Sequence, residues 1–185
     1  MAFENQQVAQ SESADYSKVA SEDPSYHAIK VFNMIEDALW DQFDLLSNAT
    51  TIDSIIHIAK EVRVLLFRAD KVWDEIKKAI EVQATGLKIK ATSFDYKNEF
   101  NIYASEVLNY IRITLNANFL AFNGSLEEQK IARDYLELSP QERISWFIEK
   151  IENTILTATE KWGELAAKIN FTMPINIKDT RDPFL

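Results

Sequence analysis

Cysteine is absent from this 185-residue sequence, and histidine occurs only twice. A chain without cysteine forms no disulfide bond, holds no iron–sulfur cluster and offers no thiolate nucleophile. Two histidines alone are too few for a zinc site that lacks cysteine ligands. The sequence therefore predicts no metal and no cofactor.

Each histidine follows an aspartate by four residues, a spacing that places both side chains on one face of a helix. The pairs are Asp23 with His27 and Asp53 with His57. Asp23 precedes its predicted helix, so only the second pair has true helical spacing. In the heptad that begins at Ile52, Asp53 and His57 occupy outward positions. They are predicted to lie in solvent rather than in a metal or acid–base site.

Glycine and proline are also scarce, with three and four residues respectively. These residues mark turns, so their scarcity predicts few turns and long elements, which favours helices over a many-stranded sheet. The apolar spacing predicts helices over about 25–47, 52–84, Ser93 or Asp95 to 122, 126–137 and 140–169. Apolar and polar residues alternate over 87–94, as in a strand. This segment is predicted to be a loop with a short extended piece that pairs with 173–178. The predicted fold is all-α, an antiparallel four-helix bundle of long amphipathic helices with one short extra helix.

The predicted organisation is one helical domain over 23–170, a flexible acidic tail over 1–22 and an irregular tail over 171–185. Basic residues are outnumbered, 20 against 29 acidic ones, for a net charge of −9. This balance argues against nucleic-acid binding and favours a basic partner. The start of the chain lacks the basic and apolar regions of a signal peptide, and the longest uncharged run, 113–126, is too short to span a bilayer. A cytoplasmic protein is expected, with secretion by a signal-less route left open.

The helical stripes predict which side chains form the core, and the stripe of the first long helix consists of the following: Ala28, Phe32, Ile35, Leu39 and Leu46. The helix that begins at Ile52 carries three apolar heptad columns, as a bundle helix needs. The helix over 140–169 is apolar at 4-3-4-3 spacing, with Trp162 in its stripe. The third long helix is expected to bury the following residues: Phe100, Ala104, Val107, Leu108, Ile111, Leu115, Phe119 and Phe122.

Helix starts are marked by capping sequences. Ser125 with Glu128, and Ser139 with Glu142, match the capping box, and Thr51 is placed to cap the helix that follows it. By contrast, the sequence contains no glycine-rich phosphate loop and no nucleophile elbow. The chain is therefore predicted not to be an enzyme, although a carboxylate site assembled from several helices stays open as a distant alternative.

Four apolar residues break the polar outer faces that the heptads predict. They are Val64 and Phe67 on the second long helix, and Trp146 and Phe147 on the last. Exposed, they would form a partner-binding patch, for which a tryptophan is a typical anchor. Alternatively, the short helix or a tail covers them within the chain.

A non-enzymatic, protein-binding bundle is the function that the sequence favours. An acidic inhibitor or immunity-type protein for a basic partner fits the net charge, and a homo-oligomer is left open. The alternative is a membrane- or lipid-active bundle, such as a pore-forming toxin component or a lipid carrier. A membrane-surface helix usually carries basic residues on its polar face, whereas Arg112 is the only one in 98–127.

Overall fold

The structure, a computed structural model, describes residues 24–86 and 99–172. These residues form five helices, α1 (Pro24–Ser47), α2 (Ile52–Gly86), α3 (Phe100–Asn123), α4 (Leu126–Leu136) and α5 (Pro140–Thr172). Among them there is no strand. Some predictions lie outside the described residues: the pairing of 87–94 with 173–178, the start of the third helix near Ser93 or Asp95, and the tail over 1–22. Of the predicted tail over 171–185, the structure describes only residues 171–172, which continue α5.

The predicted caps are present at three helix starts. The Ser54 backbone N–H donates to Thr51 Oγ1 at 3.2 Å, which satisfies one free amide at the start of α2. Ser125 and Glu128 form a full capping box on α4. Ser139 and Glu142 exchange the same two hydrogen bonds at α5. These local bonds explain why α4 and α5 begin where the sequence indicates.

Four buried aromatic rings from four helices meet in the main core. Phe32 of α1 stacks on Trp162 of α5 at 4.5 Å between ring centroids and lies 5.8 Å from Trp73 of α2. Phe100 of α3 lies 4.4 Å from Trp162. The Trp162 Nε1–H donates to the Phe32 carbonyl oxygen at 3.1 Å, so the indole is buried without leaving its donor unpaired.

Heptad columns on α2 lead into this core, as predicted. Its buried a, d and g residues are the following: Ile55, Ile58, Ala59, Val62, Leu65, Leu66, Ala69, Trp73 and Ile76. The predicted stripes of α1 and α5 are likewise buried or half-buried wherever their side chains are described. Apolar periodicity therefore identifies the main core correctly on three of the four long helices.

A second, smaller core lies between the end of α3 and α4. It contains the following buried residues: Ile113, Ala117, Leu120, Ala121, Ala132 and Tyr135. Helix α5 packs against α1, α2 and α3. Helix α1 also packs against α2, and α4 packs against α3. The five helices thus form one packed, all-helical body. None of the described helices combines the length and apolar character needed to cross a membrane.

Candidate functional site

Helix α3 is kinked at Asn116, where the backbone leaves helical geometry (φ −134°, ψ 29°). Two residues earlier, Thr114 Oγ1 donates to the Tyr110 carbonyl oxygen at 2.9 Å, a bond that often bends helices. Asn116 and Asn118 flank Ala117, and asparagine competes with the helix for backbone hydrogen bonds. The kink therefore has a local cause in the sequence.

From Ile113 onward, a different side of α3 is buried. Ala117, Leu120 and Ala121 face α4, and the predicted core residues Leu115, Phe119 and Phe122 lie in solvent instead. Their burial was a wrong prediction, because the end of α3 buries the side that packs against α4 and not the side that continues the stripe of the main core. Up to Ile111 the predicted stripe is buried or half-buried.

The result is an exposed apolar surface at the end of α3 and the start of α4. We call Leu115, Phe119, Phe122 and Leu126 the α3–α4 apolar face. Their exposed fractions are 59%, 63%, 78% and 87%. Phe119 and Phe122 are three residues apart on the segment after the kink, so they are neighbours on one helix face. Exposed aromatic residues grouped in this way are typical of interaction surfaces.

The turn that joins α3 to α4 is held in one geometry. A Cβ at Gly124 would lie 2.8 Å from the Leu120 carbonyl oxygen and 2.9 Å from the Glu128 Cβ, so only glycine fits without a shift. Across the turn, Ser125 and Glu128 form the capping box. The hydrogen bond from the Ser125 backbone N–H is the main cause of the lowered pKa of the Glu128 carboxyl, and the bond with the Ser125 side chain lowers this pKa further. Phe122 and Leu126 therefore sit on either side of a fixed corner.

Three side-chain contacts across this corner also hold α4 on α3. Arg133 Nε donates to the Ala121 carbonyl oxygen at 3.3 Å, and Gln129 Nε2 donates to that of Gly124 at 2.9 Å. Arg112 lies 3.5 Å from a Glu128 carboxylate oxygen. The apolar face is thus presented by a braced corner, which lowers the entropic cost of binding.

An acidic cavity of about 230 Å³ lies between α3 and α4. Glu106, Glu127 and Glu128 line it, together with Tyr110 and Ser125. Burial raises the pKa of Glu106. Burial also raises the pKa of Tyr110, and the charges of Glu106 and Glu127 raise it further. Of these carboxylates, Glu127 directly follows Leu126 of the apolar face in the chain.

Trp146 and Phe147 do not form the predicted exposed patch. Phe147 is fully buried in the main core. Trp146 is half-buried, with its ring centroid 5.0 Å from that of Tyr135 and 5.9 Å from that of Tyr110. The heptad treated Trp146 as outward because it considers only the long helices, whereas Tyr135 of α4 packs on this ring. Phe147 is buried by the long helices themselves, in the main core. The short helix thus covers Trp146 within the chain, which was the alternative left open by the sequence.

Val64 and Phe67 do lie on the outer face of α2, with exposed fractions of 43% and 36%. The Arg63 guanidinium carbon is 5.0 Å from the centroid of the Phe67 ring, in a cation–π arrangement. Arg63 Nε is buried with no hydrogen-bond partner among the described residues. The four predicted partner-binding residues are therefore not gathered on one surface, and partner binding by Val64 and Phe67 stays a prediction.

A polar cluster joins the start of α3 to α5. The Tyr103 hydroxyl donates to a Glu99 carboxylate oxygen at 3.0 Å, and Lys161 Nζ lies 3.4 Å from Glu164 Oε2 and 4.0 Å from Glu99 Oε2. Burial, and then the bond to Glu99, raise the pKa of Tyr103. This tyrosine stays protonated at neutral pH and donates a hydrogen bond within the start of α3, while Lys161 makes the link from α5 to Glu99.

The aspartate–histidine pair on α2 lies in solvent, as predicted. Asp53 and His57 are both exposed. In the part of the chain that the structure describes, no three histidine or acidic side chains are grouped so that they could hold a metal ion. Comparison of the chain with protein-family models, curated proteins and solved structures gives no match. We therefore infer function from the geometry alone.

Proposed function

We propose that this chain is a non-enzymatic binding protein, an antiparallel bundle of four long helices that docks a basic protein on the α3–α4 apolar face. The observation that carries the proposal is the exposure of Phe119 and Phe122 on a braced corner. Burying two such rings in a partner removes a large apolar area from water, and aromatic residues are the usual anchors of protein interfaces.

Charge supports a basic partner. The chain carries a net charge of −9, and Glu106 and Glu127 line the cavity between α3 and α4. A lysine or arginine of the partner that enters this cavity would pair with these carboxylates while the aromatic rings make apolar contact. Such pairing speeds association and selects against acidic proteins. An inhibitor or immunity-type role towards a cationic protein fits this chemistry.

Two double variants, one of them a control, test the apolar part of the proposal. Phe119→Ser/Phe122→Ser removes the anchors, while Leu45→Ser/Leu156→Ser removes exposed apolar side chains on α1 and α5. A basic protein isolated on the wild-type chain is expected to bind the second variant normally. It should bind the first at least about tenfold more weakly. Equal binding by both variants would contradict docking at this face.

A second comparison tests the charge. Glu106→Gln/Glu127→Gln is expected to slow association and to reduce its dependence on salt, because it removes carboxylates from the interface. Asp37→Asn/Asp41→Asn makes the same change in net charge at exposed positions on α1 and is expected to change neither property. If the two variants behave alike, only the overall charge matters and the acidic cavity has no role.

A lipid surface is the second candidate, because residues 113–126 contain no charged residue and expose Phe119, Phe122 and Leu126. A Phe119→Trp reporter separates the candidates. On neutral and anionic vesicles its emission would shift to the blue, and enclosed dye would escape, if the face enters the bilayer. The protein-docking proposal expects neither change, since the net charge of −9 opposes contact with an anionic membrane.

A further inference from the structure

An apolar groove of about 470 Å³ runs between α1 and α2, away from the α3–α4 apolar face. Its volume falls within the range of small-molecule sites. The walls consist mainly of the following apolar side chains: Val31, Met34, Ile35, Ala38, Leu65 and Val72. Ile35 and Leu65 are buried, whereas Met34 is exposed at the rim. The groove is therefore an apolar slot that opens to solvent along one side.

Charged residues of α2 form the other rim. Arg68 and Lys71 line the groove, followed one turn later by Glu75. Within residues 24–86 and 99–172, neither Arg68 nor Lys71 takes part in an ion pair or in a hydrogen bond made by its side chain. Two cations without partners beside an apolar slot are unexpected on a chain of net charge −9. They create a local site for an anion.

From this juxtaposition we propose that the α1–α2 groove binds a free aliphatic carboxylate of medium chain length. The alkyl chain lies along Val31, Ile35 and Leu65, and the carboxylate pairs with Arg68 and Lys71. A guanidinium can bind both oxygens of a carboxylate. Because Glu75 repels an anion at its own end of the groove, the carboxylate is placed at the end nearer Arg68. This inference does not depend on the proposed function.

Dodecanoate is a suitable probe, measured by calorimetry on the full chain below its micelle-forming concentration. One molecule is expected to bind per chain. Dodecanol, which has the same alkyl length and no charge, is expected to bind about tenfold more weakly. Equal binding of the two probes, or no binding of dodecanoate, would overturn the proposal.

Charge variants locate the carboxylate. Arg68→Gln/Lys71→Gln is expected to weaken dodecanoate binding about tenfold and to leave dodecanol binding unchanged. The control, Lys60→Gln/Lys78→Gln, makes the same change in charge at exposed positions on α2 and should bind like the wild type. Equal losses in both variants would show attraction by overall charge only and would overturn the site.

Variants of the wall locate the alkyl chain. Ala38→Phe places a ring in the groove and is expected to abolish binding of both probes. If that variant does not fold, Met34→Ala at the exposed rim serves instead, with an expected severalfold weakening. Binding that survives these changes but disappears in Phe119→Ser/Phe122→Ser would place the probe on the α3–α4 apolar face, against the proposal. Dodecanoate that is bound only when presented in phospholipid vesicles would also contradict it.

Discussion

Replacing Trp146 with alanine is expected to loosen the packing of α4 against the start of α5. The indole packs against Tyr135 of α4 and Tyr110 of α3, and it contacts both the main core and the smaller α3–α4 core. Its loss leaves α4 held by α3 and by the hydrogen bonds from Arg143 to the carbonyl oxygens of Tyr135 and Leu136. The main effect is therefore on stability, not on a partner.

The size of the effect follows from the burial of Trp146. Truncating a fully buried tryptophan to alanine costs about 3–5 kcal/mol, and a half-buried indole should cost about half as much, or about 2 kcal/mol. In a domain of this size such a loss lowers Tm by about 4–8 °C. A double-mutant cycle with Tyr135→Leu should give a coupling of about 1 kcal/mol, the value for an aromatic pair with favourable geometry.

Urea unfolding followed by circular dichroism measures this loss without relying on tryptophan emission. Hydrogen exchange should show reduced protection across 126–136 and unchanged protection in α1. Trp40→Ala is the matched control, since Trp40 is 37% exposed and contacts one ring, Phe43; its cost should be near 1 kcal/mol. If Trp146→Ala costs less than about 0.5 kcal/mol and leaves α4 protected, Trp146 does not hold that helix.

Three further outcomes are expected. Gly124→Ala should destabilise the fold by about 1–3 kcal/mol in urea unfolding, because the new Cβ overlaps a backbone oxygen and the Glu128 side chain; a stabilised variant would contradict the tight turn. The folded-state pKa of Glu128 is lowered by its hydrogen bonds from Ser125, so its contribution is present above its unfolded pKa and is lost as pH falls through the folded value. Between about pH 5 and pH 3 the wild type should therefore lose more stability than Glu128→Gln, whose amide does not titrate. If the free energy of unfolding falls in parallel with pH in both proteins, this hydrogen bond does not contribute. Trp162→Phe should cost about 1–3 kcal/mol by leaving a void and removing the bond to the Phe32 carbonyl oxygen, as measured by thermal unfolding; a neutral change would mean that the core repacks freely.

The long helices were predictable where one apolar period runs without interruption. On α2 the heptad columns through Leu66 and Trp73 are buried, and on α5 the stripe through Ile155 and Trp162 is buried too. Side chains at regular spacing on a straight helix share one face, so the sequence alone fixes which face is apolar. The capping sequence at Ser139 located the start of α5 for an equally local reason.

The end of α3 could not be predicted by the same rule. Residues 113–122 contain two overlapping apolar sets, and a straight helix would bury the set with Leu115 and Phe122. Packing against α4 selects the other set, with Ile113, Ala117 and Leu120. Which set is buried depends on where α4 packs, and the spacing within α3 alone does not contain that information. The candidate site was therefore absent from the sequence-based prediction.

Trp146 shows a related difficulty. Its heptad position is outward only for a bundle of four helices, and α4 adds a packing surface over this ring at the start of α5. Phe147, by contrast, is buried by the long helices themselves. On α2, with no described helix over its outer face, Val64 and Phe67 are exposed as the heptad predicts. A heptad thus assigns the faces of one helix correctly only when all its neighbours are known.

The proposal that the α3–α4 apolar face docks a basic protein is tested most directly by site-specific photo-crosslinking in the cells that produce the chain. A photoreactive phenylalanine analogue replaces Phe122, and a matched analogue replaces Leu156, which is exposed on α5. We expect position 122, and not position 156, to form a covalent product with a basic protein, in a yield that falls in Glu106→Gln/Glu127→Gln. Products with a second copy of the chain or with lipid only, or equal yields from both positions, would contradict this function.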